Sequence, residues 1–334
     1  MEAKQKSFTD RTKFRNTKDL RKGFEIIDPM FQELIGSEPT VEKHWTGCEW
    51  AEGPAYLVEK NSVVWSDVPN NRMLRFDATT GKTYVFREPS NFSNGNTIDP
   101  NGKLITCEHQ THSIVKRTSS ENLSLVNRYN GKRLNSPNDL VAKSDGSIWF
   151  TDPPYGILTD REGKKRTSEL GANYVFRFDP STNELGIITD ELDKPNGLAF
   201  SPDETKLYVS DTGEAGNIIS FDINDDAKSV SNSRVFTVVR PGVPDGFRSD
   251  HYGNIWSSAH DGIHCYTPNG NLIGKILIPE QRTANCCWGD PDYKRLYIVS
   301  DTSLYSVRLN VEGFNWGLFS KTESRHTEEL LSKH

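Results

Sequence analysis

Apolar residues in this chain come in short bursts, and six of the bursts sit in the same frame. Each frame opens on a small polar cluster, runs through a short strand, turns, and closes on a second strand rich in Trp, Tyr, Phe, Ile and Val. The segments are "EGPAYLVEKNSVVWSDV" from Glu52, "NGNTIDPNGKLITCEH" from Asn94 and "PNDLVAKSDGSIWFTDP" from Pro137. They continue with "PNGLAFSPDETKLYVSDT" from Pro195, "PDGFRSDHYGNIWSSAH" from Pro244 and "NCCWGDPDYKRLYIVSDT" from Asn285. The turns between paired strands read "DPNG", "SDG", "SPDE" and "DPDYK". Asn-Gly and Asp-Gly supply the positive φ of tight hairpins, and Pro-Asp pairs set turn position i+1.

Between these segments lie further alternating stretches, such as "RMLRFDATTGKTYVF" and "YVFRFDPSTNELGIIT", each predicting another strand pair. Two hairpins per frame make four strands. The openers Glu52, Asn94, Asn138, Asn196, Asp245 and Asn285 are spaced 42, 44, 58, 49 and 40 residues apart. Four strands in a repeat of that length is the signature of a propeller blade. The pattern therefore predicts an all-β fold, a six-bladed β-propeller with four-stranded blades around a central channel. It forms a single domain over 24–320, between a polar N-terminal extension (1–23) and a polar C-terminal tail (321–334).

Helical periodicity is scarce. "RKGFEIIDPMFQELIG" is the best helical candidate, but Pro29 interrupts it, and it reads as an extended lead-in that donates a closing strand. "VRLNVEGFNWGLF", from Val307, is expected to supply the other side of ring closure. The 58-residue spacing holds a charged insertion, "PPYGILTDREGKKRTSELGANY", which belongs on a loop of the length that often forms a lid.

The 334 residues carry a net charge of −6 with acids and bases interspersed. That excludes the clustered Lys/Arg of a nucleic-acid surface. No stretch approaches the length of a membrane span or the apolar core of a secretion signal. The five cysteines fit neither a zinc site nor a disulfide framework, so reduced structural thiols in a cytoplasmic protein are expected. A small-molecule partner, no nucleic acid, no membrane and a monomer or dimer complete the expectation.

In a propeller the innermost strand of each blade lines the channel, so the residues that open it sit at one mouth. Here they are Glu52, Asn94, Asn138 with Asp139, Asn196, Asp245 and Asn285. Nearly all are oxygen donors. Taken singly, each Asn-Gly or Asp-Gly pair is a turn. Taken together, three share the form Pro-(Asn/Asp)-(Asp/Gly), and six blades carry them toward one axis. Hard cations take carboxylates and amide carbonyls; buried without a cation, such groups lack partners. Zinc prefers His or Cys, which the openers lack. The reading is one divalent ion, with Ca2+ favoured and Zn2+, Mg2+ or Mn2+ as other candidates.

"WAEGPAY", "SPNDLVAKSDGSIWFTD", "KPNGLAFSPDETKLYVSDT", "VPDGFRSDHYGNIW" and "GIHCYTPNGNLIGKILIPE" resemble the senescence marker protein-30/gluconolactonase family. The resemblance runs from about Phe24 to Val307. It implies a six-bladed propeller holding one divalent metal at the channel mouth and hydrolysing a sugar lactone. Carried over by position, it implies Glu52, Asn138, Asn196 and Asp245 as metal ligands, with Asn94 in the substrate pocket. It favours Asp245 as the base that activates water while also binding the metal. Asp139 is the second candidate. His109, in "TCEHQTH", is the third and is otherwise a substrate-pocket residue. A zinc site from Cys107, His109 and His112 is rejected, because strand alternation puts Cys107 and His109 on one face and His112 on the other. "DTGEAGN" lacks the spacing and following helix of a phosphate loop. Two rival readings stand: organophosphate or aryl ester hydrolysis at the same metal site, and a non-enzymatic calcium-binding or interaction propeller.

Overall fold

The computed structural model describes residues 23–118 and 121–314. The extension before Gly23, the tail from 321 and the last part of the expected closing stretch (315–319) lie outside the described residues. Six sheets form a ring, each an antiparallel meander whose first strand is innermost. These inner strands are Ala51–Leu57, Ser93–Ile98, Leu140–Ala142, Pro195–Phe200, Phe247–Ser249 and Thr283–Gly289, and each packs against the inner strands of its neighbours. The second strands, such as Ser62–Asp67 and Ile148–Asp152, are buried throughout. Covered on both faces, they carry the continuous apolar runs noted in the sequence rather than strict alternation.

The ring does not close as the sequence suggested. The outermost strand of blade six is Val41–Thr46, paired antiparallel to Ser303–Arg308 from Val41↔Val307 to Thr46↔Ser303. Inner strands from one end of the chain and an outer strand from the other thus share one sheet. "VEKHWT" is short and only half alternating, so the pattern alone did not expose it. The lead-in stretch does give a strand, Phe24–Ile26, but it adds a fifth strand to blade five beside Leu272–Leu277. Pro29 begins a helix instead of breaking one. Asp28 caps Pro29–Ile35, its Oδ1 accepting from Met30 N at 2.8 Å. Pro is tolerated at the first helical position because the N–H there has no partner to lose. This helix seats Phe31, Leu34 and Ile35 in the core shared by blades one, five and six. Gly274 makes room for it; a Cβ there would lie 2.1 Å from Phe31 Cδ1.

The five cysteines are free and buried. Among the described residues, no helix is long and apolar enough to cross a membrane.

Candidate active site

The glycines after the openers explain how the mouth is built. Gly53 has φ +50°, and a Cβ on it would lie 2.3 Å from the carbonyl oxygen of Asn94 in the next blade. The same approach recurs at Gly95 against Asn138 O (2.5 Å) and at Gly197 against Asp245 O (2.3 Å). The sequence read these glycines as turn formers. Their larger role is to let one inner strand touch the next, which only a residue without a side chain permits. Pro54 falls within the bulge between Glu52 and Ala55, where no ladder N–H is needed.

A second repeat feature supports the same backbone. In three blades, a hydroxyl near the end of the second strand donates to the opener of the following blade. Ser66 Oγ bonds Asn94 O, Thr151 Oγ1 bonds Asn196 O, and Ser210 Oγ bonds Asp245 O, each at 2.7 Å. Asp245 N donates to Ser258 Oγ at 2.9 Å. The openers are therefore held by backbone contacts, which leaves their side chains for the channel.

Glu52, Asn94, Asn138, Asn196 and Asp245 line one cavity of about 250 Å³ at the channel mouth. Glu52 is buried; Trp50 Nε1 donates to its Oε1 and Gly53 N to its Oε2, both at 3.1 Å. Asp245 is half-buried because it faces the cavity. Glu52 and Asn196 line the same cavity beside it. Two facing carboxyls can bond one another only by sharing a proton, or both ionise around a cation. Burial, then the charges of Asp245 and Asp139, push the Glu52 carboxyl well above its ordinary range. Burial, then Asp139 and Glu162, push Asp245 up to about 8.

That unmet negative charge, beside two amides, fits a hard divalent ion. Among the described residues, no three His, Cys, Asp or Glu side chains converge on one point. A cation held here would have to take amide oxygens as well as carboxylates.

Not every predicted residue reaches the cavity wall. The Asp139 carboxylate lies below it, with Arg248 Nη1 and Asn285 Nδ2 each 3.4 Å from Oδ2 and Leu140 N donating to Oδ1. Asn285 is thereby a partner of Asp139. His109 is buried beneath the 153–174 loop. Cys107, His109 and His112 do not meet: Cys107 packs in a blade core, and His112 Nδ1 bonds Asn135 O at 2.6 Å.

The sequence did not anticipate Trp50, Tyr155, Arg161, Glu162, Thr212, His260 and Arg282 on the cavity wall. Two of these carried a signal. Thr212 and His260 each follow the second strand of a blade, the repeat position that His109 also occupies. Arg161 and Glu162 come from the insertion, joined at 2.8 Å, with Arg161 also 3.2 Å from Glu49. The insertion thus supplies part of the cavity wall, through Tyr155, Arg161 and Glu162.

Comparison with known proteins follows the same lines. A family model described as the SMP-30/Gluconolactonase/LRE-like region matches residues 50–302. A gluconolactonase from Zymomonas mobilis is 33% identical over 312 residues, covering 86% of this chain and 86% of that protein. A pentonolactonase from Haloferax volcanii is 25% identical over 264 residues, covering 76% of this chain and 82% of its own. Among solved structures, a gluconolactonase from Xanthomonas campestris has a TM-score of 0.82 at 36% identity, covering 86% of this chain and 94% of that one.

Proposed function

The chain belongs to the SMP-30/gluconolactonase/LRE-like family, and on that premise we propose how its channel mouth hydrolyses a sugar lactone to the hydroxy acid. It is a lactonase, a hydrolase of carboxylic ester bonds. The relatives named gluconolactonase and pentonolactonase support the substrate class.

One observation carries the site assignment: Glu52, Asp245, Asn138 and Asn196 converge on a single cavity with excess negative charge. These four residues would hold one divalent cation, for which Ca2+ suits the all-oxygen donor set. When bound, the cation supplies Lewis-acid polarisation of the lactone carbonyl and offsets the charge that develops on its oxygen. Asp245 takes the proton of the attacking water and returns one to the ring oxygen as the acyl–oxygen bond breaks. Asp245 is preferred over Asp139 and His109 because it faces the cavity. The Asp139 carboxylate is turned to Arg248 and Asn285, and His109 Nδ1 is engaged by a backbone carbonyl. Glu52 holds its position through two donors, and Asn94 contacts the substrate.

The test is proton release from glucono-δ-lactone in a pH-stat. Release above the spontaneous rate should vanish with EDTA, return with a divalent ion and be lost in Glu52→Gln. Full activity in EDTA and in Glu52→Gln would overturn the metal assignment. A parallel panel with an aryl ester and a fluorophosphate replaces the lactone reading if those substrates alone are cleaved.

A further inference from the structure

His109 sits where blade two meets the inserted loop. It is fully buried, and a Cβ on Gly156 of that loop would lie 2.5 Å from its Cβ and Cγ. Its Nδ1 is 2.7 Å from the backbone carbonyl oxygen of Glu162. A carbonyl oxygen only accepts, so Nδ1 carries the proton. Burial lowers the imidazole pKa to about 4 and keeps the ring neutral. A neutral ring protonated at Nδ1 has an acceptor at Nε2. That atom lies 3.4 Å from Asn94 Nδ2.

The direction of this chain has a consequence for the cavity. Asn94 turns its Nδ2 to His109 and gives it one of its two N–H groups, so the opposite end of the amide, the acceptor Oδ1, is the end turned away from the ring. Asn94 and Glu162 both line that cavity. The backbone of the loop therefore dictates, through one imidazole, which end of the Asn94 amide the substrate meets.

We infer that His109 is a positioning residue that ties the 153–166 loop to blade two and orients Asn94 as an acceptor for a substrate hydroxyl. Resting on the lactonase reading above, this assigns the site to polyhydroxylated lactones over alkyl lactones of the same ring size. The hydroxylated ring donates to Asn94 Oδ1; the alkyl ring leaves that oxygen unpaired, which costs binding.

The experiment compares His109→Phe, His109→Gln and Gly156→Ala with the wild type. Phe keeps the ring and removes both polar ends. It should raise KM for glucono-δ-lactone about tenfold with kcat within about threefold, the signature of lost ground-state binding. KM for δ-valerolactone, which has no ring hydroxyl, should not move. Gln offers an N–H to Glu162 and an acceptor to Asn94 in one amide, and should restore KM. Gly156→Ala pushes the loop off the ring and should mimic His109→Phe, which provides the same test if the Phe variant does not fold. A fall in kcat at constant KM, or equal effects on both lactones, overturns the inference.

A second readout needs no turnover. Arg161, Lys164 and Lys165 are exposed on the loop and are trypsin sites. His109→Phe should be cut there faster than wild type, and His109→Gln should not. Unchanged cleavage in His109→Phe overturns the tie. This readout holds even if no lactone is hydrolysed, so failure of the inference and failure of the lactonase reading give different results.

Discussion

Arg248 reaches from blade five across the channel to Asp139 of blade three, its Nη1 3.4 Å from Asp139 Oδ2. Asp139 is 1% exposed. Arg248 also lines a smaller cavity, of about 130 Å³, that opens away from Glu52 and Asp245. The pair thus forms a floor between the two spaces, and the fixed cation offsets Asp139 so that Glu52 and Asp245 carry the unmet charge.

Breaking this pair should be worse than removing it. Arg248→Met leaves a buried carboxylate without its cation and should cost about 3–5 kcal/mol in urea unfolding. Arg248→Met with Asp139→Asn should recover much of that loss, because no buried charge remains. An additive double-mutant cycle would show that the two side chains do not act as a unit.

Metal removal should be read in stability as well as activity. A cation that binds only the folded chain stabilises it by about 2.7 kcal/mol at a hundredfold excess over Kd. EDTA should therefore lower the Tm of the wild type. Asp245→Asn should show a much smaller response to EDTA or added Ca2+, because one of the two carboxylates at the site is gone. Equal Tm shifts in wild type and variant would place the cation elsewhere.

The buried imidazole makes a pH prediction. The folded pKa of His109, about 4, lies below the ordinary His value. The unfolded chain binds the extra proton between those two values, so stability is fully present above about pH 6.5 and declines as pH falls toward 4. Burial acts in the same direction on His112 and His264. The raised Asp245 carboxyl acts oppositely. The comparison is therefore between wild type and His109→Gln: the variant should lose less stability over that window, by on the order of 2 kcal/mol. Identical pH profiles would show that His109 titrates normally.

Two glycines with the same sequence appearance should respond differently. A Cβ on Gly197 would sit 2.3 Å from Asp245 O, so Gly197→Ala must push blades four and five apart. It should cost about 1–3 kcal/mol and impair activity. Gly186, on an outer strand, has open space around its would-be Cβ, and Gly186→Ala should stay within about 0.5 kcal/mol. Thermal melts and lactone turnover of the two variants decide it.

The N-terminal helix should behave as core. Phe31 is completely buried between blades, and Phe31→Ala should cost about 3–5 kcal/mol by urea unfolding. A loss below about 1 kcal/mol would mean that the helix docks only loosely.

The blades, their number, the turns and the six openers were legible in the sequence because each rests on local chemistry: apolar bursts, Asn-Gly and Asp-Gly turns, and a repeat. The helix at Pro29–Ile35 was legible in principle, since Asp28-Pro29 is a cap followed by a first-turn Pro, yet a Pro inside an apolar stretch also reads as a break. Val41–Thr46 as the closing strand was not legible. Its partner lies more than 250 residues away, and its pairing is decided by the geometry of the ring and not by its own residues.

The same distinction runs through the site. That Glu52, Asn138, Asn196 and Asp245 would approach one axis followed from repeat position alone. Where Asp139 and His109 point did not. Asp139 follows Asn138 directly, but its carboxylate goes to Arg248 of blade five, and His109 meets a loop carbonyl 53 residues onward. Sequence determined which residues open the blades, because periodicity assigns each a place in the ring. Only the tertiary structure decided which carboxylate faces the cavity, because a buried polar side chain turns toward whatever partner non-local packing brings within reach.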